Sequence, residues 1–255
     1  MSAGKFAGKR VILTGCVANI GLATAELFAR EGASLFLIDI DPRVAETAER
    51  ARSLGAPVVG FATADVGDPE SVKGVITQAA AELGGVDVIL NNAGIQRSGV
   101  IEEFSIEDWN ATMRINAGSC FLFAKYGVPH LKAAGGGAIV NTASIAGTHG
   151  GPPSLSGYSA SKGAIVAFTK VLAKEVGPFG IRANAIAPGW VDTAFNDPVI
   201  EFLGGQSAVD ADVENNVPLR RQGSPAEIAS AIAFLASEDS SYMTGQALII
   251  NGGAG

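Results

Sequence analysis

Short apolar runs alternate along this chain with longer segments in which apolar residues recur every three or four positions. Residues 11–14, 34–38, 58–62, 86–90, 138–142, 183–187 and 247–250 are strand-length and too uniformly apolar to keep one face in water. Between them, Leu22, Ala25, Glu26 and Ala29, and then Val72, Val75, Ile76, Ala79 and Ala80, repeat with helical spacing. This alternation predicts a Rossmann-type, doubly wound α/β sheet of seven mainly parallel strands with helices on both faces. The punctuation agrees: Gly32 follows a helix ending near Arg30, Asp68-Pro69 opens another, and Ser224-Pro225-Ala226-Glu227 is an N-cap with proline in the first turn. No repeat or linker interrupts the 255 residues, so a single domain over 1–255 is expected.

A net charge of -7 opposes binding to polyanions, which argues against nucleic acid or an anionic membrane as partner. Cys16 and Cys120 stand in unrelated contexts and two isolated histidines give no ligand set, so neither a disulfide framework nor a metal site is expected. The first nine residues carry no apolar run, and a cytoplasmic protein is the expectation.

After the first strand the chain reads Thr14-Gly15-Cys16-Val17-Ala18-Asn19-Ile20-Gly21 and enters a helix. Free N–H groups and the helix dipole at such a turn favour a diphosphate. Asp39, at the end of the second strand, is placed to accept hydrogen bonds from both adenosine ribose hydroxyls. A 2′-phosphate about 4 Å away would be repelled by about 4 kcal/mol at an effective dielectric near 20, which selects NAD over NADP. Arg43 reads as a solvated residue of the following helix.

Tyr158 and Lys162 lie four apart at the start of a helical segment and share a face. A phenol that exchanges protons near neutrality needs its phenolate stabilised, and a lysine one turn away supplies the charge. Ser144 follows the fifth strand, where α/β sheets place their ligand crevice, and its hydroxyl suits a substrate oxygen. Asn91-Asn92-Ala93-Gly94 follows the fourth strand in the same way.

With these residues in order, the chain resembles the short-chain dehydrogenase/reductase family over essentially its whole length: the 14–21 turn, Asp65-Val66, the 91–94 run, Asn116, Ser144, Tyr158-x-x-x-Lys162 and Pro188-Gly189 through Thr193. The resemblance implies that Tyr158 is the general acid/base, that Ser144 positions the substrate oxygen, and that Lys162 binds ribose and lowers the tyrosine pKa. It implies that Asn116 holds a relay water. The cofactor would be bound by Gly15, Asn19, Ile20, Gly21, Asp39, Asp65 and Val66, by Asn92, Ala93 and Gly94, and by Pro188, Gly189, Val191 and Thr193 with Tyr158 and Lys162. A homotetramer is implied as well. One departure stands out, because Asn19 replaces the middle glycine of the family's turn; asparagine is among the side chains most tolerant of positive φ. Cys16 in the same turn reads as a small buried thiol.

The family's substrate flap corresponds to about 192–217. No lysine or arginine occurs between Arg182 and Arg220, whereas Asp192, Asp197, Glu201, Asp210, Asp212 and Glu214 do, most of them read as facing water. Such a lid disfavours anionic substrates, so the expected reaction interconverts a secondary alcohol and a ketone on a neutral polyol, sugar or cyclic alcohol. Gln96, Ser144, His149 and Trp190 are the expected pocket walls, and Arg97 is the cation that would serve an anionic substrate instead. The competing enzyme is an NADP-dependent 3-oxoacyl-thioester (acyl-carrier-protein) reductase. A catalytically silent NAD-binding regulator would be expected to lose Tyr158, Lys162 or Ser144, and all are present.

Overall fold

A computed structural model describes residues 4–254; Met1, Ser2 and Ala3, part of the segment read above as carrying no apolar run, and Gly255 lie outside the described residues. Seven strands, β1 (Arg10–Thr14), β2 (Ser34–Asp39), β3 (Val59–Thr63), β4 (Val88–Asn91), β5 (Gly137–Thr142), β6 (Ile181–Pro188) and β7 (Ala247–Ile250), form one sheet in the order β3-β2-β1-β4-β5-β6-β7. Every neighbouring pair is parallel, more uniform than the mainly parallel sheet expected.

The continuous apolar runs follow from burial on both faces. Val11 and Leu13 of β1, Leu35 and Leu37 of β2 and Leu90 of β4 join one core, under α1 (Asn19–Arg30), α2 (Val44–Ser53) and α9 (Pro225–Ala236). Their strand neighbours Ile12, Phe36, Ile38 and Ile89 join the other, under α3 (Pro69–Leu83), α5 (Ser119–Ala133) and α6 (Ser156–Val176). Each such side chain contributes about 1.5–3 kcal/mol by leaving water. The helix starts are built as the punctuation predicts: the Asp68 carboxylate accepts from Ser71 N, and Ser224 and Glu227 form a reciprocal capping box.

The chain steps outward from β1 to β3, then returns to β4 on the other side of β1, so the connections leaving β1 and β4 diverge and open a crevice beyond their carboxyl ends. A buried polar chain fixes α6 to the sheet beside that crevice: Asn91 Nδ2 donates to Asn141 Oδ1 at 2.8 Å, and Asn141 Nδ2 to Thr169 Oγ1 at 2.9 Å. Residues 192–217 contain two short helices, α7 (Asp197–Phe202) and α8 (Gln206–Asn216), above the same end of the sheet. α4 (Ile106–Thr112) is also shorter than the dozen residues expected of the helices, because it passes into a π-helical turn over Met113–Gly118. No helix of the described residues is long and apolar enough to cross a membrane.

Candidate active site

The 14–21 turn is held against the β4 loop by short-range geometry. Gly15 has φ +67, and a Cβ there would lie 2.7 Å from Ala93 Cα, so only glycine allows the two backbones to meet. A Cβ on Gly21 would strike the Gly15 carbonyl and lie 2.7 Å from Asn92 Nδ2. Asn19 adopts φ 53 without disrupting the turn, as its small polar side chain permits. Thr14 Oγ1 accepts from both Asn92 N and Ala93 N at 3.0 Å, and Asn92 Nδ2 donates to Gly15 O at 2.8 Å. Ala18, the residue that precedes α1 at its N-cap position, offers no side-chain cap, so the helix's first N–H groups remain free for an anion. Glycines without room for a Cβ beside uncapped amides fit the diphosphate of a dinucleotide.

Asp39 sits next to this turn. Its two carboxylate oxygens accept from Val17 N at 3.0 Å and Asp41 N at 3.1 Å, which orients them while leaving acceptor capacity for ribose hydroxyls. Arg43 lines the cavity while staying exposed, in the solvated position expected, with its guanidinium on Asp41 at 2.6 and 3.0 Å. Asp65 and Val66 line the cavity further on. Burial raises the Asp65 pKa, but hydrogen bonds from Arg114 and Gly67 N outweigh it and hold the carboxyl below its ordinary value. Cys16 is buried behind the turn, where burial and the neighbouring Asp39 push its thiol pKa far up, so it is held as an unreactive thiol.

A cavity of about 880 Å³ runs from this turn to α8, and all but two of the sequence-predicted site residues line it. The exceptions are Asn116 and His149. Asn116 is fully buried in the π-helical turn; its Oδ1 accepts from Ile95 N at 2.8 Å, and its Nδ2 donates to Ile95 O and Ser161 Oγ, both at 2.9 Å. It therefore clamps the loop after β4. His149 is exposed and hydrogen-bonded to Thr148 Oγ1, because the chain turns away after Gly147, whose own Cα packs against the backbone of Lys162 and Gly163. The wall expected of His149 is supplied by Gly150, Gly151, Pro152 and Leu155.

Tyr158 and Lys162 are both buried on α6. Lys162 Nζ donates to Thr142 O at 2.7 Å and lies 5.6 Å from the centre of the Tyr158 ring. Burial drives the tyrosine pKa up to about 12, and the Ser144 hydroxyl pulls it back only part of the way. Burial likewise drives the Lys162 ammonium down to about 8. Desolvation of the phenolate thus sets the direction of the tyrosine shift, while the lysine is itself desolvated and engaged with a carbonyl.

Of the six flap acids, five are exposed as expected, and Asp212 turns inward. Its carboxylate accepts from Trp190 Nε1 at 2.9 Å and from Asn216 Nδ2 at 2.7 Å. Trp190 in turn packs against the apolar cluster containing Tyr158 and against Val209, Val213 and Val217. Helical periodicity within the flap does not single out Asp212; only the position of Trp190 does. Arg97 pairs with Asp108 at 3.4 Å and lines a separate pocket, so among the described residues the cavity's cations are Arg43 and Lys162.

Residues 15–255 match the family described as enoyl-(acyl carrier protein) reductase. The chain is 36% identical to a 3-oxoacyl-[acyl-carrier-protein] reductase, FabG, of Thermotoga maritima, covering 96% of this chain and 97% of the relative. It is 37% identical to the oxidoreductase UcpA of Escherichia coli strain K12, covering 98% and 96%. Among solved structures, levodione reductase superposes with a TM-score of 0.92 at 34% identity over 97% of this chain and 98% of that one. An NAD+-bound xylitol dehydrogenase gives 0.91 at 33% identity over 98% and 100%.

Proposed function

The chain belongs to the short-chain dehydrogenase/reductase family of oxidoreductases, and from that premise we propose that it interconverts a secondary alcohol and a ketone with NAD, acting on a neutral polyol, sugar or cyclic alcohol. The observation that carries this reading is the convergence of Tyr158, Ser144 and Lys162 on one cavity that also holds Asp39. A nicotinamide dinucleotide would supply the hydride donor or acceptor. Gly15, Asn19, Ile20 and Gly21 would hold its diphosphate, Asp39 its adenosine ribose, Asp65 and Val66 its adenine, and Val191 and Thr193 the carboxamide, beside Pro188 and Gly189.

With its pKa held up, the Tyr158 phenol donates its proton to the ketone oxygen during reduction. In the other direction the group acts as its phenolate, which has given up its proton to solvent and takes the hydroxyl proton of the alcohol to return to phenol; that phenolate depends on positive charge around it, to which Lys162 contributes. Ser144 orients the substrate oxygen. Asn116 fixes the loop carrying Ala93, Gly94 and Ile95, and this anchoring accompanies any water it holds.

The support for NAD is the orientation of Asp39, which leaves a 2′-phosphate facing a carboxylate. A second reading, NADP-dependent reduction of an acyl-carrier-protein thioester, draws on the Thermotoga relative and on Arg43 in the cavity lining. Arg43 is already committed to Asp41, however, and Asp212 adds a carboxylate to the cavity lining that disfavours an anionic substrate. The reading extends to a cytoplasmic homotetramer. Two buried, unpaired thiols suit a reducing compartment, and Ile106, Trp109, Phe121 and Val171 leave exposed apolar surface on α4, α5 and α6.

The test is an absorbance assay of reduced nicotinamide with NAD and NADP against polyols, cyclic alcohols and hydroxyacyl thioesters. NAD with a neutral alcohol should give the highest kcat/KM, and Tyr158→Phe should lower it about 10²- to 10⁴-fold while NAD still binds. Turnover confined to NADP and thioesters would overturn the reading.

A further inference from the structure

Gln96 has a buried side chain with an unmet hydrogen-bond donor. The residue is only 7% exposed and lines the cavity shared with Tyr158 and Ser144; its Nε2 has no hydrogen-bond partner among the described residues and is closed off in this orientation, so a half-turn of the terminal amide, whose nitrogen and oxygen are alike in shape, is what presents the donor to a ligand. Leaving such a donor unpaired costs stability, and buried amides are ordinarily satisfied. An orphan is therefore informative where the surroundings hold it in place. Here they do: the preceding residue, Ile95, is clamped through both its N–H and its carbonyl by Asn116, so Gln96 cannot drift far from the catalytic wall.

The same neighbourhood collects further unsatisfied polarity. Ser98 Oγ, two residues on, and Ser154 Oγ, on the facing loop, are also buried without partners, and Ser154 holds φ +82, a conformation that costs a non-glycine residue energy. Gly99 N donates to Ser154 O at 3.1 Å, which stitches the two loops together. The facing loop continues into Leu155 and α6, which carries Tyr158. Sites that keep orphaned polar groups and strained backbone are arranged for a ligand rather than for stability.

We propose that the Gln96 carboxamide is a specificity-determining group that donates a hydrogen bond to a second oxygen of the substrate, beyond the one held by Ser144 and Tyr158. The substrate class is then a compound bearing two oxygen functions near one another, a diol, hydroxyketone or diketone, rather than a simple mono-alcohol. A partner oxygen on the substrate satisfies the orphan only when bound, so substrates lacking it leave the donor unpaired and are rejected; sites built to hydrogen-bond a substrate group discriminate strongly against analogues without it. This proposal rests on the alcohol–ketone reading above and narrows it.

The experiment compares wild type with Gln96→Leu and Gln96→Glu, using cyclohexanol and trans-1,2-cyclohexanediol with NAD. In wild type the diol should be preferred, and in Gln96→Leu the ratio of kcat/KM for diol over mono-alcohol should fall about 10- to 100-fold. Gln96→Glu, close in shape but without the donor, should lower the same ratio. In the absence of ligand, Gln96→Leu should melt above wild type, because the leucine removes the unpaired amide. An unchanged ratio in both variants, or a lower melting temperature for Gln96→Leu with the diol preference kept, would overturn the proposal. Should neither alcohol be turned over, the alcohol–ketone reading fails by itself. The Gln96 assignment is then decided by whether the diol raises the Tm of NAD-supplemented wild type but not of Gln96→Leu; protection of both, or of neither, counts against it.

Discussion

Replacing Lys162 with methionine should make the protein more stable at neutral pH while removing nearly all of its activity. Burial holds the ammonium at about 8, against an ordinary value of 10.5. A depression of that size corresponds to about 3 kcal/mol of desolvation carried by the folded state whenever the lysine is charged. Methionine fills a similar volume without the charge, but gives up the hydrogen bond to Thr142 O, worth about 1 kcal/mol. The net gain is about 2 kcal/mol, or roughly 4–8 °C in Tm for a chain of this length. Because the folded value lies below the unfolded one, the unfolded chain binds more protons between pH 8 and 10.5, and wild-type stability rises with pH through that window. The advantage of the variant is therefore full below pH 8, shrinks as pH rises, and by about pH 10.5 has turned into a deficit of about 1 kcal/mol, the hydrogen bond it gave up. Thermal unfolding of both proteins without dinucleotide, at pH 7, 8, 9 and 10, measures this. A variant less stable at pH 7, or a difference independent of pH, would show that the lysine is not held against a desolvation cost, and the electrostatic reading of the site would fall with it.

Two other substitutions probe the cofactor end. Asp39→Arg replaces the carboxylate facing the ribose by a cation, and the NADP-to-NAD ratio of kcat/KM should rise by about 10²- to 10³-fold, the equivalent of about 3–4 kcal/mol; an unchanged ratio would mean that Asp39 does not meet the ribose. Gly21→Ala drives a methyl group into the Gly15 carbonyl, so the Kd for NAD should rise more than about tenfold, with a stability loss of about 1–3 kcal/mol, both read by titration and melting. Wild-type affinity in that variant would show that the turn is not as closely packed as the backbone contacts require.

Much of the site could be read before any fold was known, because its chemistry sits at strand ends and helix starts that the apolar pattern marks out. Asp39, Ser144 and Pro188 each stand at or just past the end of an identifiable strand, and Tyr158 and Lys162 are one helical turn apart. His149 was misplaced for the same reason: nearness to Ser144 in sequence suggests a wall, but the intervening close packing of Gly147 on α6 sends the chain outward. Asp212 carried no local signal, since one acid among six looks like solvated surface until its surroundings are known; Gln96 was expected as a pocket wall, but nothing local marks its amide as unpaired.

The sequence by itself determined the parallel sheet, the strand-end positions of the reacting groups and the preference for a helix where Tyr158 and Lys162 become neighbours, because periodicity and turn chemistry act over a few residues. Only the tertiary structure decided how dry those groups are. Desolvation depends on what packs around a side chain from distant parts of the chain, so the raised tyrosine, the lowered lysine, the inward Asp212 and the unpaired Gln96 amide appear only once the loops after β4 and β5 and the helices of the flap close over one cavity.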